Sequence, residues 1–138
     1  MELMDAMNVS VSGMKAQSMR MRIVSENLAN ADTTPDKPGV DPYRRKTISF
    51  KTVMDRQTGV EKLEPGDVQR DQGEFRTKYD PTNPAADEKG YIRLPNVNSL
   101  IETMDMREAQ RSYEANLGSV ELSRNMMMKT IDLLRSTR

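Results

Sequence analysis

Apolar residues recur at alternating steps of three and four along the first 29 residues of the chain. The positions are Met4, Met7, Val11, Met14, Ser18, Met21, Ser25 and Leu28, and six of these eight are apolar. Such a stripe is typical of an amphipathic helix with a heptad-like seam. The pattern predicts a helix over about residues 4–29, roughly 39 Å long at about 1.5 Å per residue.

A second stripe runs through the last third of the chain and is interrupted at Arg124. Its members are Met106, Ala109, Tyr113, Leu117, Val120, Met127, Ile131 and Leu134. Ser99 and Glu102 have the spacing of an S-x-x-E capping box, with Asn98 as a competing cap. We therefore expect a helix over about residues 99–135, in which Gly118 marks a close backbone approach.

The segment between residues 35 and 98 differs from both ends in composition. It contains all seven prolines, while eleven of the twelve methionines lie outside it. Alternation of apolar and polar residues at 47–50 and 74–79 predicts short strands. Turns are expected at 56–59 and 64–67, where glycine, proline and small polar residues cluster.

These patterns predict a mainly α fold with a small β insert. Residues 1–34 form the N-terminal helix and an Asn/Thr-rich motif, 35–98 a Pro/Gly-rich module of β-hairpins, and 99–138 the C-terminal helix. The two terminal helices are expected to form a coiled-coil-like pair. Because they differ in length, part of the longer apolar stripe stays uncovered, and assembly with other subunits is the economical way to cover it. The expected subunit-interface residues are Met7, Val11, Met14, Met21, Leu28, Met106, Tyr113, Leu117, Val120, Met127, Ile131 and Leu134.

Composition narrows the possible chemistry. Lys plus Arg equals Asp plus Glu at 21 each, so no net field attracts nucleic acid. Cysteine and histidine are both absent, which removes thiol nucleophiles, the commonest general base and the usual zinc ligands. No nucleotide-binding or hydrolase motif occurs, so we expect no catalytic residues, no cofactor and no metal.

Two charged stretches have alternative interpretations. The basic cluster at 43–46, with Arg20 and Arg22, could contact phosphates, but a solvated strand start or an ion-pairing surface in an assembly fits a neutral chain better. Residues 80–90 offer oxygen ligands for calcium, but they lack the alternate-acid pattern of an EF-hand loop and read as a rigid, turn-rich connection.

No apolar run reaches the roughly 18–20 residues needed to cross a bilayer, so membrane insertion is not expected. The N-terminus also lacks the basic and apolar regions of a secretory signal. If the protein leaves the cytoplasm, another export route is required.

The stretch SENLANADTT at 25–34 resembles the N-terminal signature of bacterial flagellar rod and hook proteins. Its matching positions are Asn27, Leu28, Ala29, Asn30 and Thr33, and we expect Asn27 and Asn30 to bond exposed carbonyl groups where the helix ends. The upstream helix matches the family at Ser12, Gly13, Met14, Ala16 and Gln17, and the C-terminal helix matches it at Tyr113, Ala115 and Asn116.

The linker residues resemble those of the proximal-rod branch of that family. The matching positions are Tyr43, Arg44, Arg45, Lys46, Gly90, Tyr91, Pro95, Asn96 and Val97. Residues 51–73 match least, and no role is carried over to them.

The resemblance implies a subunit of the flagellar basal-body rod, a helical tube in the periplasm that transmits motor torque and encloses the export channel. It implies as partners other copies of the chain, proximal and distal rod proteins, the adaptor between the export gate and the MS ring, and the flagellar type III export apparatus. Members of the family are exported without a cleaved signal peptide.

Two rival functions remain open on the sequence. One is a cytoplasmic coiled-coil adaptor or export chaperone that uses the same apolar stripes on a single partner. The other is a rod-associated cell-wall hydrolase that uses carboxylates, although nothing in the sequence places two carboxylates in an apolar cleft.

Overall fold

The computed structural model describes residues 3–56 and 58–136 as two helices and two small antiparallel sheets. The elements in chain order are α1 (Leu3–Ala29), β1 (Lys46–Met54), β2 (Glu61–Arg70), β3 (Arg76–Tyr79), β4 (Tyr91–Leu94) and α2 (Ser99–Ser136). The mainly α fold with a small β insert is therefore confirmed. None of the described helices is both long and apolar enough to cross a membrane.

Helix α1 ends where the Asn/Thr-rich motif predicts. The side chain of Asn30 donates from Nδ2 to the carbonyl oxygen of Glu26 at 2.8 Å, and Thr33 donates its hydroxyl to Asn30 Oδ1 at 3.3 Å. One of the last carbonyl groups of the helix is thus satisfied by a side chain. The expectation for Asn30 is confirmed, whereas Asn27 has different partners.

Helix α2 begins with a different cap from the predicted capping box. Asn98 Oδ1 accepts hydrogen bonds from the backbone N–H groups of Leu100 (3.0 Å) and Ile101 (3.4 Å), so Asn98 is the N-cap. The prediction of a capping box between Ser99 and Glu102 was wrong. Glu102 is fully buried, and its carboxylate binds residues from other elements.

Strands β1 and β2 pair with each other in one sheet. The turn predicted at 64–67 was wrong, because those residues lie inside β2. A Cβ atom on Gly66 would lie 2.8 Å from Ser49 Oγ, so the glycine allows β1 to approach closely. Proline is tolerated at position 65 because β2 is an edge strand. The turn predicted at 56–59 includes Gly59 at φ 67°, and its residue Gln57 lies outside the described residues.

Strands β3 and β4 form the second hairpin, with Arg76 opposite Leu94 and Tyr79 opposite Tyr91. The two tyrosine rings meet edge to face with centroids 5.3 Å apart. In the connecting loop Asp87 Oδ1 accepts hydrogen bonds from the backbone N–H groups of Lys89 and Tyr91. The carboxylate that could have served calcium is thus used by the turn itself. Among the described residues no group of three or more acids forms a metal site.

The chain divides into two compact units. The first contains residues 1–20, 49–66 and 108–138, and the second contains 21–48 and 67–107. Ala16 and Ala109 are the buried apolar residues of the first unit. The second unit has the larger core, formed by Ile23, Val24, Ala31, Ala85, Ile92 and Val97. The three-part division into domains stays a prediction.

Candidate functional site: a buried polar hub and exposed apolar helix faces

Asn27, near the end of α1, is the centre of a buried polar network. Its Nδ2 donates to the carbonyl oxygen of Lys46 at 2.8 Å and to Glu102 Oε2 at 3.0 Å. Its Oδ1 accepts from the backbone N–H of Lys46 at 2.9 Å and from the hydroxyl of Tyr43 at 2.8 Å. The amide thereby makes all four of its hydrogen bonds without contact with water. We call Asn27, Tyr43, Arg45, Lys46 and Glu102 the polar hub.

The charge of Glu102 is balanced by Arg45. Arg45 donates from Nε to Glu102 Oε1 at 2.5 Å, and its NH2 group lies 3.4 Å from Asp105 Oδ2. A buried carboxylate is tolerated only when it is paired and hydrogen-bonded, and both conditions are met here. The arrangement ties the start of α2 to the segment that enters β1.

Asn96 extends the hub toward the segment after β2. Its Oδ1 accepts from the backbone N–H of Arg45 at 2.8 Å, and its Nδ2 donates to the carbonyl oxygen of Asp71 at 3.2 Å. The N–H of Asp71 donates in turn to the carbonyl oxygen of Arg45 at 2.8 Å. Three motifs far apart in sequence therefore meet in one network within the second unit.

The hub also shifts the pKa values of two of its members. Burial, reinforced by the nearby Glu26 and Glu102 carboxylates, raises the pKa of Tyr43 to about 12, so its hydroxyl stays a donor. Burial alone would lower the pKa of Arg45, but the hydrogen bond and charge of Glu102 outweigh it and raise the pKa of the guanidinium. Both groups keep the protonated form that the hub requires.

This network corrects two expectations from the sequence. Asn27 does not bond the end of its own helix, because its amide is occupied by Lys46, Glu102 and Tyr43. Arg45 is not part of a solvated strand start, because its guanidinium is held inside the second unit. The sequence offered one signal for this network, because polar motif residues occur at three separate places along the chain. Polar residues that share a buried network satisfy one another's hydrogen bonds.

Within the first unit, the two helices approach closely at Gly13. A Cβ atom on Gly13 would lie 2.9 Å from Asn116 Nδ2, and that Nδ2 is held by the carbonyl oxygen of Ser112 at 2.9 Å. Arg20 bonds Glu108 at 3.5 Å further along the same pair. Residues further along α1 thus contact residues nearer the start of α2, so the helices run antiparallel in this unit. The prediction of a close backbone approach at Gly118 was wrong within this chain, since a Cβ atom there would meet nothing within 4 Å.

Ser12 connects α1 to β2 within the same unit. Its Oγ accepts a hydrogen bond from the backbone N–H of Leu63 at 3.1 Å and donates to the carbonyl oxygen of Val9 at 2.7 Å. An N–H group on the free edge of β2 is therefore satisfied by a helix side chain. This gives a structural role to a motif residue that the sequence could not explain.

The predicted seam of α1 is not its most deeply buried face. Met7, Met14 and Met21 are half-buried, and Val11 and Leu28 are 37% and 39% exposed. The buried residues Ala16 and Ile23 follow Met14 and Met21 by two positions, which is about 200° around a helix of 3.6 residues per turn. The methionine stripe therefore lies nearly opposite the buried stripe, and part of its apolar surface remains uncovered.

The predicted stripe of α2 is also only partly covered within the chain. Met106, Tyr113, Val120 and Met127 are half-buried, whereas Leu117, Ile131 and Leu134 are 39%, 47% and 67% exposed. Exposure increases toward the end of the helix, where every residue from 128 to 136 is exposed.

A second apolar stripe on α2 was missed at the sequence level. Its members, with their exposed fractions, are Leu100 (70%), Met104 (64%), Leu122 (62%), Met126 (50%) and Leu133 (68%). Charged residues interrupt this stripe, because Glu108, Arg111 and Lys129 occupy compatible positions around the helix. Leu122 lies two residues after Val120, about 200° around the helix, so this stripe is nearly opposite the predicted one. The signal was available, because Met104 and Leu122 are separated by five full turns of 3.6 residues.

Polar residues separate the two apolar faces of α2 on both sides. One polar stripe consists of exposed residues at compatible helical positions, namely Arg107, Gln110, Glu114, Glu121, Asn125 and Asp132. The other side carries Asp105, Ser112, Asn116, Ser123 and Thr130. A surface helix of a monomer normally buries one apolar stripe and exposes the rest. Two apolar stripes on one helix leave apolar surface that the chain itself does not cover.

The remaining linker residues shape the second hairpin and its exit. Gly90 has φ 81°, and a Cβ atom there would lie 2.9 Å from the ring of Tyr79, so both conformation and space require glycine. Ile92, Pro95 and Val97 are fully buried. Arg44 stacks its guanidinium 4.3 Å from the centre of the Phe75 ring. These residues fix the path into α2.

Comparisons with known proteins agree over nearly the whole chain. The family described as "Flagella basal body rod protein" matches residues 7–35, and "Flagellar basal body rod FlgEFG protein C-terminal" matches residues 88–133. The flagellar basal-body rod protein FlgC of Agrobacterium fabrum is 50% identical over 133 residues, which covers 96% of each chain. The protein of the same name from Bacillus subtilis is 36% identical over 93% of this chain and 95% of its own. That from Escherichia coli O157:H7 is 35% identical over 96% and 98%.

Proposed function

Because this chain belongs to the FlgC family of flagellar basal-body rod proteins, and is thus a structural rod subunit, we propose that its terminal helices join neighbouring subunits. The observation that carries this proposal is the second apolar stripe of α2. Leu100, Met104 and Leu122 are each more than 60% exposed, although they belong to the most apolar kinds of side chain. Large apolar side chains that are exposed on one helix face support an interaction site there.

The subunit contacts use both apolar faces of α2 and the methionine stripe of α1. The half-buried seam residues, from Met7 and Met14 to Val120 and Met127, become fully covered when a neighbouring helix packs on them. Residues 1–34 and 99–138 then form the inner layer of the rod, and 35–98 face outward and make lateral contacts. Methionine suits such a surface because its flexible thioether side chain adapts to subunits in unequal positions.

Repeated head-to-tail contacts of this kind generate a helical tube instead of a closed ring. The tube encloses the export channel and transmits motor torque across the periplasm. The partners are copies of this chain, the proximal and distal rod proteins, and the adaptor between the export gate and the MS ring. The chain reaches them through the flagellar type III export apparatus without a cleaved signal peptide, and neither nucleic acid nor membrane insertion takes part.

Introduction of a charge at an exposed apolar residue tests the proposal. Leu122→Asp is expected to abolish incorporation into basal bodies while export continues, because it places a charge in a desolvated interface. Leu117→Asp and Val120→Asp are expected to act in the same way on the other face. Asn125→Asp is the matched control, since it adds the same charge to the polar stripe of the same helix. Motility should be lost in the first three strains and kept in the fourth.

The outcome also separates this function from its rivals. A motile strain carrying Leu122→Asp would overturn the proposed interface. A cytoplasmic adaptor or export chaperone would be found in the cytosol and not in purified basal bodies. We also propose that the chain acts without catalysis, which is supported by the pairing of its buried carboxylate, Glu102, with Arg45. Release of soluble fragments from peptidoglycan by the purified protein would contradict that.

A further inference from the structure

An open cavity of about 420 Å³ lies in the second unit, where the chain enters β1 and leaves β2. Its lining residues are Asp41, Pro42, Tyr43, Arg44, Lys46 and Arg70. We call this cavity the basic pocket, because three of its six residues are cations and one is an acid. The hydroxyl of Tyr43 is used by the polar hub, in its bond to Asn27.

Ion pairs inside the unit use only part of this positive charge. Lys46 is paired with Glu26. Asp41 is hydrogen-bonded to Arg93 at 2.9 Å and lies 3.7 Å from Arg44, so its charge is already shared. Arg70 has no ion-pair partner among residues 3–56 and 58–136. Arg44 also donates to the carbonyl oxygen of Asp71 at 3.4 Å, a bond that neutralises no charge, so the pocket keeps more positive charge than its one acid, Asp41, balances.

Two guanidinium groups at the wall of one cavity favour a carboxylate ligand. Guanidinium is planar and donates two parallel hydrogen bonds to a carboxylate, which gives geometric specificity as well as charge. A cavity of this volume holds an acidic side chain together with its water.

The chain itself carries a complementary segment in the connection between β3 and β4. Asp80, Asp87 and Glu88 are acidic, and Lys89 is the connection's only cation. Asp80 accepts a hydrogen bond from Thr82, and Asp87 accepts from backbone N–H groups of its own turn. Glu88 is exposed and has no ion-pair partner among the described residues. Its carboxylate is therefore available to another molecule.

We propose that Glu88 of one copy binds in the basic pocket of a second copy, between Arg44 and Arg70. The inference rests on the proposed function, because it assigns a contact between neighbouring rod subunits. Since pocket and acidic connection are different surfaces of the same chain, each copy donates one and receives the other. Such a heterologous contact propagates along a helical array and does not end in a closed dimer.

Charge exchange between the two surfaces tests the contact in strains that carry the full chain and all other rod proteins. Arg70→Glu and Glu88→Arg should each lower the amount of this chain in purified basal bodies about tenfold, because like charges then face each other. The double variant Arg70→Glu/Glu88→Arg should return to within about twofold of the wild type, since the pair is restored with reversed sign. Lys78→Glu and Glu74→Arg are matched controls, as exposed residues of the same unit outside both surfaces. Circular dichroism of each purified variant shows whether its fold is kept.

The natural absence of cysteine allows a second measurement. A chain with Arg70→Cys and Glu88→Cys, treated in intact basal bodies with a short bismaleimide, should give multimers of this chain on a denaturing gel. A control pair, Lys78→Cys with Glu88→Cys, should not.

Failure to rescue by the double variant would overturn the proposal. So would a loss caused by Arg70→Glu that Glu88→Arg does not share, because the pocket would then serve an acidic segment of a different rod protein. These failures are distinct from failure of the proposed function, which Leu122→Asp tests through an apolar face that neither charge change touches.

Discussion

The side-chain amide of Asn27 pairs with the peptide group of Lys46, as acceptor at 2.9 Å and donor at 2.8 Å. A side chain of α1 thereby satisfies the first residue of β1 much as a neighbouring strand would. The same amide reaches Glu102 in α2, so one residue connects three elements of the second unit. This geometry favours asparagine at position 27, because an amide of that length supplies two donors and two acceptors.

Replacement of Asn27 should be far more costly than replacement of Asn30. Asn27→Leu removes four hydrogen bonds and leaves buried groups of Lys46 and Glu102 unsatisfied, which should lower the free energy of unfolding by at least about 3 kcal/mol. Asn30→Ala removes one bond to a helix end and should cost about 1 kcal/mol or less. Urea unfolding followed by tyrosine fluorescence measures both. Equal losses would show that the hub does not stabilise the second unit.

The ion pair between Arg45 and Glu102 should respond asymmetrically to substitution. Arg45→Met leaves the fully buried Glu102 without its cation and should cost about 3–5 kcal/mol. Glu102→Leu should cost less, because Arg45 keeps Asp105 at 3.4 Å and some contact with water. The double variant should be more stable than Arg45→Met alone. Chemical denaturation of the wild type, the two single variants and the double variant completes the double-mutant cycle. Losses in the free energy of unfolding that simply add would contradict coupling between Arg45 and Glu102.

Tyr43 should make the second unit sensitive to alkali. Its pKa in the folded chain is about 12, against an ordinary value of 10.0, so folding favours the neutral phenol. The contribution is fully present below pH 10 and is lost as the pH rises toward 12, because only the unfolded chain releases the proton in that window. The stability difference between wild type and Tyr43→Phe should therefore shrink over this range. A stability difference that stays constant over this pH range would show that Tyr43 does not cause the sensitivity to alkali.

Alanine at the two helix glycines should have different effects. Gly118→Ala meets nothing within 4 Å and should stabilise the free chain by about 1 kcal/mol through helix propensity. Gly13→Ala gains the same helix propensity, but its Cβ atom would clash with the Asn116 side chain. Its net gain in stability should therefore be smaller or negative. Adding Asn116→Ala should restore the gain. Thermal unfolding by circular dichroism gives the comparison. If a neighbouring subunit approaches Gly118 in the rod, Gly118→Ala should stabilise the chain yet reduce its incorporation.

The free chain should have less helix than the 27 and 38 residues of α1 and α2. Apolar faces of both helices lack partners, and packing normally supplies most helix stability. Far-UV circular dichroism of dilute protein should show helicity that rises with concentration or with added rod subunits. Hydrogen exchange should be faster at 128–136, where every residue is exposed, than at 99–109, which includes the buried Glu102 and Ala109. Full helicity that is independent of concentration would argue against stability gained on assembly.

The amino-acid sequence by itself determined where the helices lie. Apolar periodicity and the absence of proline are local properties, and they placed both helices within a residue or so of their observed bounds. Local signals failed where a residue had two possible uses. Glu102 has the spacing of a capping residue, and Gly66 follows a proline in a turn-like run. In both cases a partner distant in sequence decided the role of the residue, namely Arg45 for Glu102 and Ser49 for Gly66.

Tertiary structure also decided which faces of the helices are covered. The spacing of Met7, Met14 and Met21 shows that they share a face, but not that Ala16 and Ile23 on the opposite side are the buried ones. Gly13 carries little hydrophobic signal, yet it allows α1 and α2 to approach closely. The sequence therefore determined the elements and their amphipathic faces, because these depend on neighbours three or four positions away. Only long-range packing could select the buried face, because that choice depends on the shapes of two surfaces that meet.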